Sequence, residues 1–180
     1  MNKQLTIGTL VGTLILFFWQ FLSWGPLNIH GAENQYTPKQ DQILEALNSM
    51  DLAEGTYFMP NVPPEKMAER EEFMAQNQGK PWAKVTYHKN FDMAMGMNLL
   101  RGFFIDLLAA FFLVWIVMKF ENRDFKNCLF AALAVGAIGY LTIPYLETVW
   151  YKVDNMGYMV DAVVPWGLFG SFLGWFLNRK

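Results

Sequence analysis

The chain has 180 residues, 53% hydrophobic and 17% aromatic with only 17% charged, a formal net charge of −2 and a mean hydropathy of +0.15. That balance is poorer in charge and richer in aromatics than an ordinary soluble domain, and it excludes the concentrated basic surface that a nucleic-acid binder needs. Cys128 is the single cysteine, so an internal disulfide and a monomeric site built on several thiolates are excluded as well.

The averages hide a split along the chain. Leu5 to Trp24 and nearly all of Leu99 to Leu177 are apolar, whereas Asn28 to Asn90 reads like a small water-soluble unit. A helix rises about 1.5 Å per residue, so roughly twenty apolar residues match a hydrocarbon layer of about 30 Å. Leu5 to Trp24 has that length. Met1-Asn2-Lys3 gives it a short positive start, but the run is long for a signal core and the exit SWGPLN lacks an A-x-A arrangement, so it reads as a retained anchor helix. Gly8 and Gly12 fall on one face, where another helix can approach closely. Trp19 and Trp24 stand near its far end, the depth that amphipathic rings favour.

Gly25-Pro26 breaks the helix, since proline cannot extend the ladder. A helix is predicted from Thr37, with the hydroxyl as cap, Pro38 at the first position and Gln40 at capping-box spacing. Ile43, Leu44, Leu47 and Met50 form its apolar stripe. Gly55 to Pro60 and Trp82 to His88 read as two short strands, with a helix between them over roughly Glu65 to Gln76. Strands joined by a helical crossover and backed by the helix from Thr37 make a small α+β cap, residues 27–97. The segment Asn98 to Lys119 is the second span and carries Arg101 and Asp106 near one end. Leu129 to Leu146 is the third, with Ala132 and Gly136 on one face, and Met159 to Leu177 is the fourth, with the pair Gly170 and Gly174. The expected architecture is therefore a four-transmembrane-helix bundle: residues 1–26 as the first helix, the extracytoplasmic cap between helices one and two, and residues 98–180 as the other three.

Cations set the expected orientation. Short cytoplasmic segments retain Lys and Arg, and Lys3, Lys119, Arg123, Lys126, Arg179 and Lys180 all fall at one end of the spans. The cap is acid-rich, with Glu45, Asp51, Glu54, Glu69, Glu71 and Glu72. Both termini are then cytoplasmic and the cap lies outside, which in a bacterial inner membrane means periplasmic.

Polar groups at membrane depth are the candidates for chemistry, because charged side chains inside a span are costly and face a protein interior, a partner or water. By depth counting Gln20, Arg101, Asp106, Tyr140, Thr142 and Asp161 all lie in the outer half and are expected to form one polar cluster. It reads as a proton, ion or small-ligand site, or as a structural network in which Arg101 offsets Asp161 or Asp106 and Gln20 supplies hydrogen bonds. A metal is not otherwise called for. The weak candidates are His88 with Met93, Met95 and Met97, a thioether and imidazole set that suits Cu(I), with His30 at the other side of the cap. Methionines also pack well in irregular interfaces. No nucleophile elbow, phosphate loop, HExxH helix or cysteine–histidine pair is present, so no enzyme activity and no cofactor are expected.

Several local patterns carry a resemblance. Trp24-Gly25, Gly55-x-Tyr-Phe-x-Pro60, Gly79-Lys-Pro81, Ile143-Pro-Tyr145 and Trp150-Tyr151 together resemble four-span bacterial inner-membrane proteins without an assigned activity, over most of the chain. That resemblance implies location and span number and no catalytic residue. Three functions follow as expectations. The first is an accessory or scaffold subunit that meets lipid and binds other membrane proteins or itself through Gly8/Gly12, Ala132/Gly136 and Gly170/Gly174 and through the acidic cap. The second is an outward-facing ion, proton or small-ligand binding protein centred on Asp106, and the third is periplasmic Cu(I) handling.

Overall fold

The computed structural model describes residues 3–179; Met1 and Asn2 of the positive start and Lys180 of the cation pattern lie outside the described residues. In chain order the elements are α1 (Lys3–Trp24), α2 (Gln40–Ser49), β1 (Gly55–Met59), a 3-10 turn (Pro64–Glu69), α3 (Arg70–Asn77), β2 (Ala83–Tyr87), α4 (Met95–Val117), α5 (Phe125–Thr142), α6 (Pro144–Tyr151) and α7 (Met156–Leu177). The protein is mostly helical. Among the described residues four helical segments are long and apolar enough to cross a membrane: α1, α4, the stretch Phe125–Tyr151 and α7. The chain divides into two compact units, residues 1–35 with 94–180 and residues 36–93.

In the first unit α1 lies between α4 and α7, α5 packs along α7, and α4 also meets α5. The core where these helices meet holds Leu16 of α1, Ala110, Leu113, Val114 and Val117 of α4, Cys128 and Ala132 of α5, and Phe169 and Leu173 of α7. Small residues set the spacing. A methyl at Gly8 would meet Val114 and Leu173, one at Gly12 would strike the Phe169 ring, and one at Gly170 would stand 2.7 Å from the Ala132 methyl. Gly174 lies as closely against Phe125. All three small-residue pairs are therefore consumed inside this unit, two of them joining α5 to α7.

Several helix boundaries differ from the sequence reading, α4 beginning at Met95 and not Asn98 among them. The third long helix begins at Phe125, not Leu129, because Asp124 Oδ1 accepts from the Asn127 amide and caps it. It also stops at Thr142: Ile143 leaves helical geometry, and Pro144, suited to a first helical position, opens α6 where a loop was expected. Lys152 in the left-handed conformation ends α6, and α7 then starts three residues early at Met156. Within α7, Pro165 is buried and has no N–H to give the carbonyl four residues back, that of Asp161.

In the second unit β1 and β2 pair antiparallel, Gly55 opposite Tyr87 and Met59 opposite Ala83. The expected helix between them splits into a 3-10 turn and α3, with Lys66 outside helical geometry, and Gly79 at φ 81° turns the chain back toward β2. Likewise α2 starts three residues after Thr37, whose hydroxyl reaches only the Lys39 amide at 3.3 Å. Tyr87 is 5% exposed and its hydroxyl donates to Asn48 of α2 at 3.2 Å, tying helix to sheet. Tyr87→Phe is expected to lower the thermal stability of this unit by about 1 kcal/mol, the net worth of one such bond; an unchanged melting profile would mean the bond contributes nothing.

Candidate functional site

At its C-terminal end α1 presents Trp19, Ser23 and Trp24, and the chain then turns back on itself. The Leu27 and Ile29 amides bond to Leu22 and Ser23 carbonyls, Asn28 takes positive φ, and the Glu33 and Asn34 amides bond to the His30 carbonyl. These bonds coil residues 25–35 against the helix end and drive the His30 side chain inward, where it is 3% exposed. It lies on Gly157 of α7, where any Cβ would stand 2.7 Å from His30 Nδ1, so glycine is needed there for the ring to fit. The Trp24 indole stacks on the imidazole, 3.8 Å between centroids and 5° from parallel, and Tyr158 meets its edge at 4.8 Å.

Each imidazole nitrogen faces a carboxylate. Nε2 is 2.9 Å from Asp161 Oδ2, and Nδ1 is 3.3 Å from Glu33 Oε2. Two such hydrogen bonds need two hydrogens among the three groups: either an imidazolium between two carboxylates or a neutral ring beside one carboxylic acid. The remaining carboxylate oxygens are also held. Asp161 Oδ1 accepts from the Trp19 indole at 2.8 Å and from the Ser23 hydroxyl at 2.6 Å, and Glu33 Oε1 accepts from the Tyr158 hydroxyl at 2.9 Å. Beyond Glu33 a cavity of about 140 Å³ is lined by Glu33, Tyr158, Glu147, Asp154 and Asn155, with Ile143, Pro144 and Val153 as its apolar wall. The early end of α5 and the formation of α6 are what place Glu147 on that cavity.

The six residues expected to gather do not form one cluster. Gln20 donates to Asp106 Oδ1 at 2.9 Å, and Asp106, 4% exposed, keeps Oδ2 buried without a partner. Asp161 turns to α1 and His30 instead. Thr142 bonds its own helix at Ile138, and the Tyr140 ring meets Tyr145. Arg101 is exposed, and the counter-group of Asp161 is His30, not that arginine. His88, Met93, Met95 and Met97 are exposed, while His30 is buried in the first unit. Among the described residues no three His, Cys, Asp or Glu side chains converge as a metal-ligand group.

Ser23, Glu33, Gly157 and Tyr158 are not singled out by the sequence reading, and Trp19, Trp24 and His30 enter it only as interfacial rings and beside the copper candidates. Their one sequence signal is weak: His30 falls just after a span and Asp161 within another, which is how a buried ion pair at a helix end reads. Comparison of the chain with protein-family models, with curated proteins and with solved structures returns no match, and the functional reading accordingly rests on geometry.

Proposed function

We propose that the chain is a four-span protein of a bacterial inner membrane, with both ends cytoplasmic and the α+β unit periplasmic, and that it binds a proton or small organic cation at its outer end. One observation carries the binding reading: a buried imidazole held between two carboxylates, one inside a span and the other lining an acidic cavity. Buried charge is expensive unless paired, and three titratable groups sharing two hydrogens beside a polar cavity form an arrangement that cations and protons can enter. The expected centre thus moves from Asp106 to His30, Asp161 and Glu33.

Trp24 supplies the reporter, because its ring lies on the imidazole. In lipid nanodiscs, tryptophan emission is expected to respond to pH and to methylammonium chloride. The response is lost in His30→Gln. Emission indifferent to both pH and cations would remove the reading. Orientation is tested separately in Cys128→Ser protein: in sealed right-side-out vesicles an impermeant maleimide should label Ser49→Cys and spare Asn122→Cys, and the reverse pattern would invert the topology.

The scaffold reading loses the glycine faces that motivated it. What favours it is the outer flank of α5, where Phe130 and Ile138 are 67% and 62% exposed, a surface for lipid or for another membrane helix. Recovery of only this polypeptide, at monomer mass, from mild detergent would count against it.

A further inference from the structure

We infer that His30 relays protons between the acidic cavity and Asp161 inside the span, an inference that rests on the reading of this centre as the binding site. The imidazole is the one side chain that can accept a hydrogen at one nitrogen while releasing one from the other. Here the two nitrogens touch different acids belonging to different segments, Glu33 from the loop after α1 and Asp161 from α7. Glu33 reaches the cavity, whereas Asp161 is five residues into α7, roughly 7.5 Å along its axis.

The step balances without any external reagent. With Glu33 as the acid and the ring carrying its hydrogen on Nε2, the Glu33 proton passes to Nδ1 and the Nε2 proton passes to Asp161 Oδ2. Glu33 ends as carboxylate, Asp161 as acid, and the ring as the other tautomer. The imidazolium between two carboxylates is the intermediate form. All three share two hydrogens and one net negative charge, so the transfer separates no additional charge in the buried interior.

The surroundings fix the geometry of the three groups. Among the described residues the ring is faced by Glu33 from its own loop, Asp161 and Tyr158 from α7, and the uncharged Trp24 face from α1. The next carboxylates, Glu147 and Asp154, line the same cavity as Glu33. On the inner side, Trp19 and Ser23 hold Asp161 by Oδ1 alone, which leaves Oδ2 for the exchange. Gly157 keeps the ring between the two acids.

The chain has two histidines, so His88→Gln leaves His30 as the sole imidazole in otherwise full-length protein. Nitrogen-15 histidine spectra of that protein in nanodiscs read the hydrogen on each ring nitrogen and its exchange with solvent. The relay predicts hydrogens shared by both nitrogens. Glu33→Gln should trap the ring with its hydrogen on Nε2, and Asp161→Asn with its hydrogen on Nδ1. Exchange of the Nε2 hydrogen should slow about a hundredfold in Glu33→Gln, the usual scale for loss of a positioned acid–base group. A single neutral tautomer in the unsubstituted site, or Nε2 exchange indifferent to Glu33→Gln, overturns the relay. If either occurs while the Trp24 response to cations persists, the binding reading stands and only the relay falls; if that response is absent too, both fall.

Discussion

Asp161→Ala is expected to destabilise the first unit by about 3 kcal/mol, the low end for removing one partner of a buried ion pair. Asp161 is 21% exposed, which keeps the figure at that end, but His30 beside it is 3% exposed and loses its short hydrogen bond. The indole of Trp19 and the hydroxyl of Ser23, itself fully buried, lose their acceptor in the same change, and each buried donor left unpaired costs about 1–3 kcal/mol on its own. Relaxation and water entry return part of that sum. Asp161→Asn keeps an oxygen for Trp19 and Ser23 and should cost clearly less. Thermal unfolding in detergent measures the ranking, and limited proteolysis adds a local readout, because residues 25–35 are held to α7 through His30. Equal stability of the Ala and Asn variants would mean that the two α1 donors contribute nothing.

The second large effect is expected at Gly136. A side chain there would run into the Ala162 backbone carbonyl and, 2.8 Å away, the Trp166 ring. Indole can shift, but a carbonyl of α7 cannot without the helix moving, so Gly136→Val forces α5 away from α7 and is expected to cost about 3 kcal/mol, the upper range for overpacking. Three residues further on, Gly139 has nothing within 4 Å of its would-be Cβ. Gly139→Val should stay within about 0.5 kcal/mol of the parent. Unfolding of both variants by increasing SDS fraction in mixed micelles compares them directly, and matching midpoints would show that the α5–α7 contact is not set by the glycine.

Ala162 and Trp166 flank Pro165 in α7, one turn from Asp161. The helix is locally released from its own ladder at the carbonyl of Asp161, and it is there that α1 and the His30 loop attach. The sequence reading of the fourth span passes over Pro165, because a missing N–H gains meaning only when the neighbouring side chains are known.

Apolar runs, helix breakers and strand alternation were enough to place four long helices and a small two-stranded unit, since the free energy of burying or lipid-exposing a side chain is a property of each residue and its period along the chain. The same local rules placed Gly8, Gly12, Ala132, Gly136, Gly170 and Gly174 on packing faces. Which faces meet is a different kind of information. Depth counting put Arg101, Asp106 and Asp161 at similar levels but said nothing about azimuth, and so it joined side chains that point to different neighbours. Only the tertiary packing decided that Asp161 meets a histidine 131 positions away, that the glycines are spent within the chain, and that Glu33 and Glu147 share a cavity. Ion pairs and hydrogen bonds depend on ångström-scale approach between distant segments, and no periodicity along one segment encodes that approach.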